Sequence, residues 1–254
     1  TNRSVQDKSR SKKTLSTIHM QAGRSIDTIF EVEGGISNYS LSKDGKSMYV
    51  ITSEWSKEFK NIEDKNSEPM YYENLPFRFD TRGIIYNKRS HVYKVNIQTK
   101  KFTKIVDGDT KDIISIESLV EGDKGLVLSF DQYNSKGTML EEKIGAIEGS
   151  KIKEIYSKGS MGNLFYYEDE LHAVGMRKRF DWPTNTTFLK ISNTGNVSYK
   201  YRSFDRNIVK AEVNEDILYF LYEDSGKTLL RDGTNNVDLI TVSYTHLRAH
   251  ETSE

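Results

Sequence analysis

The segments ISNYSLSKDGKSMYVITSE (36–54) and HVYKVNIQTKKFTKIVDGD (91–109) decide the fold that this sequence predicts. In each, an alternating apolar strand runs into a tight turn and out into a second alternating strand. Period-two alternation of this kind is typical of β-strands that bury one face. One such hairpin cannot bury its apolar face alone, so repeated copies are expected to stack against each other.

Turns of two kinds recur along the chain. The first kind is predicted at residues 44–45, 122–123, 168–169 and 215–216, and the second at 98–100, 148–150, 193–195 and 232–234. The later copies are spaced by roughly 45 residues, which is typical of a four-stranded propeller blade, and no long helical periodicity is present. The first two copies lie further apart because residues 54–86 form an insertion.

The repeats predict an all-β chain that forms a partial β-propeller of about four to five blades, each a four-stranded antiparallel sheet. The predicted domain is residues 1–242. Its predicted blades are 14–33 (partial), 36–107, 112–158, 162–205 and 207–242. Because the chain starts at Thr1 within a blade-like segment, we expect the native N-terminus to lie upstream.

Composition agrees with thin sheets and excludes several classes of function. Hydrophobic residues make up only 35% of the 254 residues and aromatic residues 11%, which suits sheets packed through Tyr and Phe. The 37 basic and 37 acidic residues cancel, so no overall field attracts nucleic acid or a membrane, and neither partner is expected. The sequence contains no cysteine, which excludes disulfides and thiol catalysis and is compatible with the cytoplasmic location we expect.

The last twelve residues, SYTHLRAHETSE (243–254), break the β alternation. They resemble translated sequencing-adapter read-through, and we predict that they are a non-native tail. His246 and His250 stand four residues apart, a spacing that can hold a metal on a helix. Because the tail is predicted to be non-native, we expect no metal site there.

Residues 68–109 resemble the propeller of acylaminoacyl-peptidase-like members of the S9 (prolyl oligopeptidase) serine peptidases. Within this segment the resemblance rests on an LPFRFDTRG stretch (75–83), a His-Val-Tyr-x-Val strand (91–95) and an Ile-x-Asp-Gly-Asp end (105–109), and before it on a Ser-x-Asp-Gly-Lys hairpin (42–48). In that family a propeller caps an α/β-hydrolase domain that carries a Ser-Asp-His triad. The nucleophile of that triad sits in a Gly-x-Ser-x-Gly turn, and this sequence contains no such string.

The resemblance therefore implies the non-catalytic, substrate-gating propeller of an S9 serine hydrolase. Its implied partners are a C-terminal α/β-hydrolase domain of the same parent chain and a peptide substrate, and these 254 residues are expected to be inactive alone. The alternative is a non-enzymatic, TolB-like propeller that acts as a protein-binding scaffold.

The insertion contains the candidate site residues. Tyr71, Tyr72, Glu73, Arg78 and Phe79 combine aromatic surface, an acid and a fork-shaped cation. Long insertions of this kind are often functional, so we predict that these residues contact substrate or line the interface with the hydrolase domain. The alternative is a solvated loop whose aromatic side chains pack on their own blade.

No other cluster predicts a catalytic or metal centre, and no cofactor is expected. His19, His91 and His172 lack metal-ligand spacing, and each is interpreted as a packing or surface residue. Asp107, Asp109 and Asp112 lack the glycine and terminal glutamate of a calcium-binding EF-hand loop, and we interpret them as a turn between blades.

Overall fold

The computed structural model describes residues 3–4, 15–22, 25–60, 71–79, 83–178, 184–200 and 204–243. Over these residues the chain is nearly all β, which confirms the predicted fold class. The strands are β1 (Arg3–Ser4), β2 (Leu15–Ala22), β3 (Ser25–Glu33), β4 (Gly35–Leu41), β5 (Ser47–Trp55), β6 (Arg78–Phe79), β7 (Gly83–Ile84), β8 (Lys88–Asn96), β9 (Phe102–Val106), β10 (Ser115–Gly122), β11 (Gly125–Tyr133), β12 (Leu140–Glu148), β13 (Lys151–Tyr156), β14 (Ser160–Tyr167), β15 (Glu170–Met176), β16 (Thr187–Ile191), β17 (Val197–Tyr199), β18 (Asn207–Asn214), β19 (Ile217–Asp224), β20 (Lys227–Asp232) and β21 (Val237–Ser243). Two single-turn helices interrupt them, α1 (Lys57–Lys60) and α2 (Gly108–Lys111). Neither helix has the length or apolar character to cross a bilayer, and the described residues include no other helix.

The strands form antiparallel sheets. Within each sheet the strands lie side by side in their order along the chain, although β6 and β7 come between β5 and β8 in the sequence. Four sheets have four strands, in the orders β4-β5-β8-β9, β10-β11-β12-β13, β14-β15-β16-β17 and β18-β19-β20-β21. A three-stranded sheet, β1-β2-β3, precedes them, and β6 pairs only with β7. This up-and-down repetition is that of a partial β-propeller, as predicted. The assignment of residues 1–242 to one domain stays a prediction, and the predicted tail lies outside the described residues after Ser243.

The conformation of the hairpin turns explains why the repeat can be recognised in the sequence. Glu168 and Asp169 have φ of 52° and 58°, and Glu215 and Asp216 have φ of 49° and 62°. Two successive left-handed residues define the type I′ turn, whose twist matches that of antiparallel strands. Both turns lie where the sequence predicts them, whereas the turn predicted at 122–123 lies one residue later, between Gly122 and Gly125.

The chain divides into two compact units, residues 1–153 and 154–254. In the first unit, one apolar cluster joins the sheet that begins with β4 to the sheet that begins with β10. Val92 and Leu128 are fully buried in it, with Ile51, Ile116 and Phe130 around them. A second cluster packs Ile18 and Phe30 of the three-stranded sheet against Val50 and Val95.

The core of the second unit is largely aromatic. Phe188 is 1% exposed and meets the rings of Phe165 and Phe220 edge-on, with centroids 5.8 and 5.1 Å away. Along β19, Leu218 and Phe220 are buried while the residues between them are half-buried. Tyr and Phe thus fill the space between these sheets, as the aromatic composition indicates.

A β-bulge interrupts the first strand of each four-stranded sheet after the second or third residue pair of its ladder with the second strand. The extra residues are Ser37 in β4, Glu117 in β10, Asn163 in β14 and Val209 in β18. A bulge leaves one residue outside the ladder and turns its side chain away from the regular alternation. This feature repeats as regularly as the hairpins, although the sequence pattern does not reveal it.

Candidate functional site

Residues 71–79 of the insertion in the first unit form a loop that is held by a ladder of aromatic rings. The ring of Tyr72 stacks on Phe77 with centroids 4.5 Å apart, and it meets the edge of Tyr86 at 5.4 Å. Tyr86 in turn contacts Phe59 at 6.0 Å and Tyr133 at 6.3 Å. The ladder joins the insertion to β11 of the next sheet, so the loop has a fixed base.

Hydrogen bonds fasten the same loop to the neighbouring sheet. The Tyr133 hydroxyl donates to the carbonyl oxygen of Pro76 at 2.8 Å, across 57 residues of sequence. Burial raises the pKa of Tyr133 to about 12, so the phenol remains a donor. The backbone N–H of Leu75 donates to the carbonyl of Gly137 at 2.7 Å. The insertion is thereby ordered against β11 and the turn that follows it.

The five predicted site residues fall into two groups. Tyr72 belongs to the aromatic base, as in the alternative in which the loop packs on the body of the protein. Tyr71 is 81% exposed and Phe79 is 39% exposed, and Glu73 and Arg78 are exposed as well. These four residues form an exposed rim on an anchored base. Their predicted role in contact with substrate or a partner domain stays a prediction.

Sequence reasoning missed the residues that hold the rim in place. Phe77 lies inside the recognised stretch, but Tyr86 and Tyr133 come from other segments and meet the loop only in the folded chain. An aromatic residue at the end of a buried strand, such as Tyr133, was the available signal. It does not by itself indicate which loop it supports.

A cavity of about 340 Å³ lies beside the aromatic base, between β4, β8 and β10. Its apolar lining residues include Ile85, Ile114 and Leu140, which also belong to the cluster under the insertion. Its polar lining residues are Ser37, Ser53, Lys88, Ser90, Ser115 and Glu117. Two of these, Ser37 and Glu117, are the bulge residues of adjacent sheets.

His91, Asp107 and Asp109 place their ligand-type atoms within 4.8 Å of one another. The Nδ1 atom of His91 already accepts the backbone N–H of Gly108 at 3.0 Å. The Lys57 and Lys104 ammonium groups lie 3.5 and 3.8 Å from Asp107, where they would compete with a metal cation. Asp107 caps the short helix α2 between β9 and β10, so the cluster serves as the turn between sheets that the sequence predicts.

His172 is fully buried between aromatic rings in the second unit. Its ring stacks on Phe165 at 5.6 Å, and its Nδ1 donates to the carbonyl of Glu170 at 3.0 Å. The Nε2 atom is buried, and no hydrogen-bond partner for it lies among the described residues. Burial lowers the pKa of His172, which indicates a neutral packing residue, as the sequence predicts.

We expect acid to destabilise the protein through His172. Because the folded-state pKa lies below the ordinary value, the unfolded chain binds more protons between those two values, and the free energy of unfolding falls as the pH decreases below about 6.5. One such group contributes a slope of at most about 1.4 kcal/mol per pH unit. His172→Phe is expected to reduce this slope in urea titrations at a series of pH values.

The matched measurement is the same pH series on the wild-type chain. Burial also lowers the pKa of His91, so part of the slope is expected to persist in the variant. At pH 7.5, His172→Phe is expected to lower the free energy of unfolding by roughly 0.5–1.5 kcal/mol, because it removes the hydrogen bond from Nδ1 to the carbonyl of Glu170. An unchanged acid slope in the variant would contradict a role for His172.

The fold defines a class, the β-propellers built from four-stranded antiparallel blades, and several solved structures share this fold. The chain is similar to the acylaminoacyl peptidase of Pyrococcus horikoshii, with a TM-score of 0.60 and 12% identity over 85% of this chain. It is also similar to the β-propeller domain of the Trilobed protease from Pyrococcus furiosus (TM-score 0.52, 10% identity, 82% of this chain and 56% of that chain). A puromycin-hydrolyzing peptidase of Mycobacterium tuberculosis matches at a TM-score of 0.51 and 10% identity, over 93% of this chain and 40% of its own.

These matches confirm the predicted β-propeller fold, and they include an acylaminoacyl peptidase, the kind of protein whose propeller residues 68–109 resemble. The chain spans about a third of the Pyrococcus horikoshii peptidase, 33% of its length. No protein-family model matches the sequence. No curated protein matches it either.

Proposed function

We propose that this chain is the propeller part of an S9-type serine hydrolase and that it restricts access of peptides to a catalytic domain encoded beyond these residues. The likeness to the acylaminoacyl peptidase of Pyrococcus horikoshii carries the proposal, because it covers 85% of this chain but only 33% of that enzyme. In this proposal, hydrolysis belongs to an α/β-hydrolase domain, and the propeller orients and filters substrates.

The anchored insertion supports a contact role for its exposed rim. An exposed loop that is ordered by stacked rings and buried hydrogen bonds loses little conformational entropy when it binds. Tyr71, Phe79 and Arg78 are of the residue types enriched at binding surfaces. We therefore assign the contact with peptide or with the hydrolase domain to Tyr71, Glu73, Arg78 and Phe79, with Tyr72 as their support.

The gene itself tests the proposal. Reading its sequence downstream of the codon for Val242 is expected to show an open frame that encodes a Gly-x-Ser-x-Gly turn and later Asp and His residues. The 254-residue chain alone is expected to hydrolyse neither acyl-peptides nor p-nitrophenyl esters. A stop codon soon after the last strand would favour the protein-binding scaffold and overturn the hydrolase proposal.

Arg78→Ala tests the rim in the longer protein. We expect kcat/KM for peptide substrates to fall by about tenfold to a hundredfold, because a hydrogen bond to a charged group contributes roughly 1.5–3 kcal/mol. Arg206→Ala is the matched control, since Arg206 is an exposed arginine that pairs with Asp224 outside the insertion. Equal kcat/KM in wild type and Arg78→Ala would exclude Arg78 from the contact.

A further inference from the structure

The sheet of β18, β19, β20 and β21 has apolar side chains on both of its faces. Leu218, Phe220 and Tyr222 of β19 are buried in the aromatic core of the second unit. Tyr219 and Leu221 alternate with them along the strand, so they lie on the opposite face, where both are only half-buried. The aromatic core therefore covers one face of this sheet and leaves the other accessible.

The first unit shows what such a two-faced sheet is built for. In β5, Val50 is buried against the three-stranded sheet, and the next residue, Ile51, is buried against the sheet that begins with β10. Apolar residues on both faces of a strand are typical of a sheet that is covered on both sides. The accessible face of the β18–β21 sheet thus has the composition of an interface.

The apolar side chains on this face form a row across three strands. Leu221 pairs with Leu230, and Leu230 pairs with Ile240, so the three side chains point the same way. Ile240 is 57% exposed, and Tyr219 extends the row along β19. Contiguous exposed apolar side chains of this kind mark sites of interaction.

Two opposite charges border the row on β18. Lys210 pairs with Leu221 and Glu212 pairs with Tyr219, so both charged side chains lie on the accessible face. Both are exposed, and within the part of the chain that the structure describes neither forms an ion pair. They stand two residues apart, which is about 7 Å along a strand. Glu223 is on the same face but lies beyond the apolar row, towards the end of β19.

From this pattern we infer that the accessible face binds a second copy of the same chain across a two-fold axis. An axis that runs across the strands at the level of Ala211 lays β18 of one copy antiparallel to β18 of the other. Lys210 of each copy then faces Glu212 of the other, and Leu221 faces Tyr219. A two-fold contact uses the same patch twice, so one Lys-x-Glu spacing supplies two complementary charge pairs around an apolar centre.

Sedimentation equilibrium of the 254-residue chain tests the inference, which does not depend on a hydrolase domain. We expect a monomer–dimer equilibrium with a Kd of about 1–100 µM, because the face is small and its rim is charged. A chain that remains monomeric at about 200 µM overturns the inference and leaves the face to a different partner. Species that grow beyond the dimer also overturn it, because a two-fold contact closes on itself.

Charge reversal locates the interface. Lys210→Glu is expected to weaken the dimer by about tenfold or more, because it sets like charges opposite each other at two symmetric places. The double variant Lys210→Glu/Glu212→Lys restores opposite charges and is expected to return the Kd to within about threefold of wild type. An unchanged Kd in Lys210→Glu, or no recovery in the double variant, rejects this face.

Lys227→Glu is the matched control. Lys227 is exposed in β20 of the same sheet, but the alternation of the strand places it on the face opposite Leu230. The substitution changes the net charge as Lys210→Glu does, and it is expected to leave the Kd of the dimer unchanged. Equal weakening by the two substitutions would show an effect of overall charge and overturn the inference. Circular dichroism spectra that match wild type establish that the variants are folded.

Discussion

Phe188→Ala is expected to lower the free energy of unfolding by about 3–5 kcal/mol, the usual cost of truncating a fully buried aromatic side chain. Phe188 lies in β16, and its ring fills the space between Phe165 and Phe220. Both neighbours belong to paired strands that cannot collapse into the gap without breaking hydrogen bonds. The cavity should therefore persist, and urea denaturation followed by circular dichroism measures its cost.

Tyr199→Ala is the matched control for this prediction. Tyr199 belongs to β17 of the same sheet, but its side chain is 39% exposed. Truncation there is expected to cost less than about 1 kcal/mol, since surface substitutions seldom cost more. Similar decreases in the free energy of unfolding for the two variants would mean that Phe188 does not stabilise the core of the second unit.

Gly108→Ala is expected to cost about 3 kcal/mol or more, because the added methyl group would meet rigid backbone. A Cβ at this position would lie 2.1 Å from the carbonyl oxygen of Ser90. Ser90 cannot retreat easily, since its N–H donates to the carbonyl of Ile113 and the Gly108 N–H donates to His91. The substitution should therefore disturb the junction between β8, α2 and β10.

Gly162→Ala is the comparison for Gly108→Ala, and both are read by chemical denaturation. Gly162 lies in β14, and a Cβ there would meet no atom within 4 Å. Its replacement is expected to leave stability within about 1 kcal/mol of wild type, since alanine also reduces the freedom of the unfolded chain. If Gly108→Ala lowers the free energy of unfolding as little as Gly162→Ala does, close packing at Gly108 is not a constraint on the fold.

The hairpins could be predicted from sequence because their determinants are local. A turn such as 215–216 needs two residues in the left-handed conformation between two strands of alternating apolar and polar residues. All of these residues lie within about a dozen positions of the sequence. The all-β class followed from the same pattern. The bulges at Ser37 and Glu117 could not be predicted, because a bulge is defined by the register of the partner strand rather than by its own sequence.

The residues of the candidate site could be predicted from the sequence, but the positions of their side chains in the folded chain could not. Residues 71–79 were identified by their aromatic and charged character, but the pattern does not show that Tyr72 packs inward while Tyr71 remains exposed. That division depends on Tyr86 and Tyr133, which lie in other segments. The cavity was not predicted at all, because its lining residues come from segments as far apart as Ser37 and Leu140 and meet only in the folded chain.

The repeated bulge gives each four-stranded sheet one residue that lies outside the strand ladder. Ser37, Glu117, Asn163 and Val209 differ in size and charge, although the strand pairing resumes on both sides of each bulge. Substitution at a neighbouring, paired position would disturb two strands at once. Each bulge therefore presents a side chain that is chosen separately in every blade, whereas the paired positions on either side are constrained by two strands.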